Sequence, residues 1–211
     1  MNRFPASVRQ FLAAFRGLLV FTIITGAIYP LVILGIGQAA FHGKANGSLV
    51  SNSRGQVVGS ALLCQEFVDA KGNPLPQYFQ PRPSAANSGA KGDYGCNAEY
   101  SGASNLGPDN PVEVSLVKQR QRQIAAFDHV PISAIPADAV MASGSGLDPQ
   151  ISPAYAAIQV NRVATARHIT PAQVKALVAK YTSSRPLGIL GEPGVNVLLL
   201  NLALDQAYPL R

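Results

Sequence analysis

Apolar and polar positions divide the chain sharply. From Gly17 to Phe41 no residue carries a charge, and Leu18, Leu19, Val20, Phe21, Ile23, Ile24, Ile28, Leu31, Val32, Ile33, Leu34 and Ile36 dominate the run. As a helix rising about 1.5 Å per residue it reaches roughly 37 Å, against a bilayer hydrocarbon core of about 30 Å. The pattern predicts one transmembrane helix over 17–41. A cleaved signal peptide also places an apolar segment after basic residues, and Gly37-Gln38-Ala39 offers a small-residue site, but a signal h-region of about 7 to 15 residues is much shorter. The segment is therefore expected to remain as an anchor. Thr22 with Gly26, and Gly35 with Ala39, put small residues four apart, a spacing that lets another helix approach closely. Pro30 falls mid-span, where it is expected to kink the helix.

Beyond the span the periodicity changes. Asn46–Val50 and Val57–Phe67 flank the polar group SNSRGQ and predict two short strands in a hairpin. Residues 69–111 are crowded with Gly, Pro, Asn and Ser and have no sustained period. A loop of that length in a compact domain is usually functional or ordered by a partner, which marks it as a contact surface. Helical patterns follow. Asn110-Pro111 opens one that continues to about Phe127, with a modest apolar face of Val114, Val117, Gln121 and Ile124. Ser152-Pro153 opens a second, in which Ala156, Val160, Val163 and Ala164 repeat on one side. Thr170-Pro171-Ala172-Gln173 is a capping-box pattern starting a third, which ends near Tyr181. The apolar stretch Asn196–Gln206 reads as a short buried helix in preference to a strand. The expected fold is α+β: one N-terminal transmembrane helix followed by a single compact extracytoplasmic domain of short strands and about four helices.

Charge sets the orientation. The chain is formally +6, with 17 basic and 11 acidic residues. Arg3, Arg9, Arg16 and Lys44 belong to the span and its flanks, which leaves 13 basic against 11 acidic beyond them. With three arginines before the span and only Lys44 close after it, the positive-inside rule predicts a cytoplasmic N-terminus (1–16) and an extracytoplasmic, periplasmic domain (42–211). The basic balance is thus a topology signal. It provides no nucleic-acid footprint, and Lys118–Arg122 reads as the solvated side of a helix.

Candidate chemistry is sparse. Cys64 and Cys96 both fall in the exported part, where oxidation is permitted; a disulfide and two separately buried thiols are both compatible with the sequence. His42, His129 and His168 are scattered singly, so no metal site is expected. No P-loop, no nucleophile elbow and no paired carboxylates occur. Ser115 and Lys118 match an SxxK spacing, which would make the chain a membrane-anchored serine hydrolase; no KTG triplet accompanies it, and a helix pattern already accounts for both residues. The residues alone point to a non-catalytic exported domain on a single anchor, without a directly bound cofactor.

Several strings together resemble one family. NGSLV near residue 46, VGSALLCQEF, YFQPRPSA (Tyr78–Ala85), SGASNLGPDNP (Ser101–Pro111), ASGSGLDPQISP (Ala142–Pro153), QVNRVATAR (Gln159–Arg167) and GEPGVNVLLLNLALD (Gly191–Asp205) look, in that order, like the C subunit of the Kdp potassium-transporting P-type ATPase complex. Two departures are visible: Cys64 stands where the family usually has Gly, and Ala103 replaces the second Gly of its SGGSN. The resemblance implies an accessory subunit in the bacterial inner membrane, needed for assembly and activity of an ATP-driven potassium importer. Its partners would be a channel-like potassium-binding subunit, a P-type ATPase catalytic subunit and a small membrane subunit. ATP and potassium would be used by the complex. A role in raising ATP affinity is also implied, and the expected topology opposes direct ATP contact, because nucleotide is cytoplasmic. On this reading the exported domain sits over the outer mouth of the channel-like subunit. Arg82, Ser101, Asn105 and Asn110 are the candidates for shaping that contact; for each, turn chemistry or a local ion pair is the competing role.

Overall fold

A computed structural model describes residues 5–210; Arg3, counted above in the basic flank, lies outside them. The chain forms two compact units, Met1–Ser48 and Leu49–Arg211.

The first unit is built on one apolar helix, α1 (Ala6–Ala40), long and apolar enough to cross a membrane and with none of its residues buried. The helix begins well before Gly17, so the uncharged run forms only its later part. Its disturbance takes a particular form, a π-helical turn over Ile24–Ile28 that ends two residues before Pro30. Proline has no N–H to donate, and its ring crowds the carbonyl four residues earlier. A wider turn absorbs both problems without ending the helix. A single turn, α2 (His42–Ala45), follows, and Asn46 ties back to Gln38 through paired amides at 3.0 and 3.3 Å.

In the second unit β1 (Leu49–Ser51) and β2 (Val57–Ser60) form an antiparallel hairpin with an irregularity between Val50 and Ser51. Asn52 organises its turn, its side-chain oxygen accepting from the Arg54 and Gln56 amides. Both strands are shorter than the apolar pattern suggests, because the chain leaves the ladder at Ala61. The helices lie close to their expected places. They are α3 (Pro111–Asp128), α4 (Pro153–Ala166), α5 (Pro171–Lys180) and α6 (Val197–Ala207). Asn110, Ser152, Thr170 and Asn196 each cap the following helix with a side-chain oxygen, and Thr170 with Gln173 completes a reciprocal capping box.

A three-stranded antiparallel sheet was not legible in the sequence. β5 (Gly194–Asn196) lies between β3 (Gln150–Ile151) and β4 (Thr182–Ser183), with Ile151 and Thr182 both paired to Val195. Two- and three-residue strands are too short to show alternation. Around this sheet the core gathers Ile151, Val160, Val163, Val174, Val195 and Leu200, all essentially inaccessible to solvent. The predicted inner face of α4 is buried in full: Ala156, Val160, Val163 and Ala164. α3 is peripheral, with Asp128 as its buried residue.

Candidate partner surface

Residues 69–110 contain no helix and no ladder strand, so their backbone polar groups need other partners. Side chains of α4, of its C-cap Arg167 and of α6 supply them. The Phe79 ring is fully buried, while its amide donates to Asn201 Oδ1 and its carbonyl accepts from Asn201 Nδ2, each at 2.9 Å. Gln159 makes the same two-way contact with the Gln80 backbone, at 2.8 and 3.2 Å. Arg162 donates to the carbonyls of Pro76 and Tyr78, and Arg167 to that of Gln77. Three helix side chains and the Arg167 C-cap of α4 thus replace the ladder that a strand would have provided. Each cation is matched by a carboxylate: Arg162 by Asp128 at 2.7 Å, Arg167 by Asp205 at 2.8 Å.

Past Gln80 the irregular segment folds around Gly146. The Gly146 carbonyl accepts from Ser84 Oγ at 2.6 Å, and Ser84 Oγ in turn accepts from the amides of Ala86 and Cys96. Next to it, Ser145 O accepts from the Gly102 amide at 2.8 Å and from Ser101 Oγ at 3.1 Å, while the Cys64 amide donates to Leu147 O. Gly146 has φ +70°, and a Cβ there would lie 2.5 Å from Gly102 O and 2.8 Å from Ala86 Cβ. Only glycine satisfies both the backbone conformation and the space. Cys64 and Cys96 are joined by a disulfide with Cα atoms 5.4 Å apart, tying the end of the hairpin to this knot. Arg82 closes it on the other side, pairing with Asp148 at 2.9 Å and donating from Nε and Nη2 to Met141 O.

Three strings distant in sequence, Tyr78–Ala85, Ser101–Gly107 and Ala142–Pro149, therefore meet at one place. An open depression there is lined by Leu62, Leu63, Arg82, Ser143, Ser145 and Asp148. Of the sequence-derived candidates, Arg82 and Ser101 are brought together at this knot. Asn105 is exposed in left-handed backbone, φ +54°, and Asn110 is used as the cap of α3, accepting from the Val112 amide at 2.9 Å. Thr22, Gly26, Pro30, Gly35 and Ala39 all lie on exposed positions of α1, and a side chain added at Gly35 would meet nothing. Ser115 and Lys118 are exposed on α3. In the Lys118–Arg122 run Arg120 turns inward, donating to Val140 O at 2.8 Å.

A smaller cleft of about 230 Å³ separates the Val68–Pro83 stretch from α3, with Glu66, Arg120, Phe127 and Tyr155 among its walls. Burial, reinforced by the nearby Asp93 charge, pushes the Glu66 carboxyl up to about 7. Asp93 itself is held down at about 2 by hydrogen bonds from Ser88 and Asn97. Burial raises the Tyr155 hydroxyl as well, and it raises the Asp128 carboxyl against the opposing pull of Arg162. Among the described residues no group of three His, Cys, Asp or Glu is arranged to hold a metal ion.

Asp128, Gln159, Arg162, Arg167 and Asn201 escaped the sequence reading. A signal existed for the last four: each is a polar residue set among apolar neighbours on the inward side of a helix pattern, where an unpaired polar group would be costly.

A long apolar N-terminal helix followed by an α+β domain with a long, internally tied irregular segment defines a class, an α+β domain carried on one candidate membrane helix. The comparisons say which family of that class the chain matches. The family described as "K+-transporting ATPase, c chain" matches residues 11–206. Proteins described as "Potassium-transporting ATPase KdpC subunit" are 47% identical over 192 residues in Geobacter sulfurreducens, covering 91% of this chain and 95% of the relative. In Synechocystis the identity is 46% over 199 residues, 94% of this chain and 99% of the relative. In Mycobacterium bovis it is 48% over 199 residues, 94% and 98%. The chain belongs to the KdpC family, subunits of potassium-transporting ATPases.

Proposed function

We propose that the chain is a non-catalytic accessory subunit needed for assembly and activity of an ATP-driven potassium importer. Its N-terminus is cytoplasmic and its main domain extracytoplasmic, as the basic flank before α1 favours. α1 packs beside the transport subunits through the small residues Thr22, Gly26, Gly35 and Ala39. The exported domain lies over the outer mouth of a channel-like potassium-binding subunit, with a P-type ATPase catalytic subunit and a small membrane subunit completing the assembly.

One observation carries this reading. The knot around Gly146 rigidifies three otherwise irregular segments by a disulfide, an ion pair and backbone hydrogen bonds, and it leaves their polar edges, including Arg82 and Ser101, at the surface. A prefolded surface loses little entropy on docking, which suits a permanent subunit contact. ATP and potassium belong to the complex, and this topology opposes direct contact between the exported domain and cytoplasmic nucleotide. The test is deletion of the chain from cells that express the other subunits. The proposal expects loss of potassium-stimulated ATPase activity or loss of the assembled complex; an intact, active pump without the chain refutes it.

A further inference from the structure

The cleft between the Val68–Pro83 stretch and α3 has polar atoms in its walls that the fold leaves unsatisfied. Glu66, Gln80 and Tyr155 all line it. Tyr155 is only 4% exposed, yet its hydroxyl has no hydrogen-bond partner among the described residues. A buried hydroxyl ordinarily finds one. Gln80 spends its Nε2 on the carbonyls of Phe67, Leu75 and Tyr78, which fixes the orientation of the amide. Its Oε1 then accepts from no described donor. The Glu66 carboxylate accepts from none either.

Glu66 also lacks a counter-ion. Arg82 and Arg120 are wall residues too, but both are turned to other partners. Arg82 pairs with Asp148 and donates to Met141 O, while Arg120 donates to Val140 O at 2.8 Å and lies 3.6 Å from Glu113. Asp128, the other carboxylate in the wall, is matched by Arg162. Burial and the Asp93 charge raise the Glu66 carboxyl, with neither wall arginine offsetting them. Burial also raises the Tyr155 hydroxyl, and the charges of Asp128, Asp138 and Glu66 add to it against Arg162. A buried carboxylate without a cation is costly, and a cation supplied from outside relieves it.

The kind of cation follows from donors, size and walls. An ammonium group carries three N–H donors and no acceptor, which suits the three unpartnered side chains Glu66, Gln80 and Tyr155. The cleft holds about 230 Å³, several times the roughly 30 Å³ share of one water, so a bare metal ion would fill little of it. Val68, Pro74, Ile124 and Phe127 make the remaining wall apolar, a surface for hydrocarbon.

We infer that this cleft binds a small primary alkylammonium ion, with Glu66 as its counter-ion, Tyr155 Oη and Gln80 Oε1 as further acceptors, and Ile124 and Phe127 against its hydrocarbon body. Every residue of the site belongs to this chain, so the inference does not depend on the accessory-subunit reading.

The test is isothermal titration calorimetry of the full chain, purified in mild detergent, with n-butylammonium chloride in a constant sodium chloride background. Saturable binding is expected, and neither n-butanol nor potassium chloride should reproduce it. Glu66→Gln keeps the shape and removes the charge, and it should weaken binding about tenfold or more. Tyr155→Phe keeps the ring in the core and should weaken binding about threefold. Only ionised Glu66 serves as counter-ion, so affinity should fall about tenfold between about pH 8 and about pH 6, a dependence absent from Glu66→Gln. No saturable binding, equal binding of n-butanol, or unchanged affinity in Glu66→Gln overturns the inference. Equally tight binding of potassium at the same site makes it a bare-cation site and overturns the alkylammonium assignment.

Discussion

Arg162 Nε lies 2.7 Å from the Asp128 carboxylate, and both side chains are almost wholly removed from solvent. The pair joins the last residue of α3 to the middle of α4, and the same guanidinium holds the Pro76 and Tyr78 carbonyls of the irregular segment and lies 4.3 Å from the Phe127 ring centre. One side chain thus couples two helices to the surface they support.

Removing only Asp128 strands a buried cation, which typically costs about 3 to 5 kcal/mol. Asp128→Ala should lower the unfolding free energy of the Leu49–Arg211 unit by that order in a denaturant titration of the purified complex. Ser115→Ala, an exposed change on the same helix, should leave it within about 0.5 kcal/mol. An unfolding free energy for Asp128→Ala equal to that of the unaltered chain would show that the pair does not hold the helices together.

The disulfide spans a sequence separation of 32 residues, most of them irregular. Closing a loop of that size stabilises a fold by about 2 to 4 kcal/mol in the chain-entropy account. Cys64→Ser with Cys96→Ser should therefore lose stability of that order and expose the knot around Gly146 to proteolysis. Thiol alkylation before and after reduction, read by mass spectrometry, checks that the bond is present: two free thiols in the unreduced protein would contradict it.

Glu66 sets a pH dependence. Its carboxyl is raised from 4.5 to about 7 in the folded domain, so folding favours the protonated form. As pH rises from 4.5 towards 7 the unfolded chain ionises first, and stability is lost across that window, levelling off above it. Glu66→Gln abolishes the dependence. The variant should match the unaltered chain in thermal midpoint near pH 4 and exceed it from about pH 7 upwards. A constant difference at every pH would rule Glu66 out as the source.

Gly26 probes the membrane helix separately. A Cβ at this position would meet only the Thr22 methyl, at 4.0 Å, so a larger side chain is free within the chain itself. Gly26→Leu should leave membrane insertion unchanged and reduce recovery of the other subunits with the tagged chain by several fold, because close helix approach is blocked. Equal recovery would locate the helix contact on another face.

The anchor, the four helix starts and the family resemblance were all readable from the sequence, because each rests on residues close together in the chain. An uncharged apolar run, an Asn, Ser or Thr before a first-turn proline, and a Thr170–Gln173 box act over one or a few turns. Pro30 was recognised as a disturbance, and only the structure showed that a π turn absorbs it. The irregular segment was legible as an unusual length of Gly, Pro, Asn and Ser, without its construction. That Asn201 would take the place of a strand for Phe79, that Cys64 would bond Cys96, that Gly146 would gather three segments, and that β5 would lie between β3 and β4 depended on pairings between residues tens to more than a hundred positions apart. Local propensity contains no term for such pairings. They form because a buried backbone without a ladder must find donors and acceptors somewhere, and only the packed helices determine which side chains are within reach.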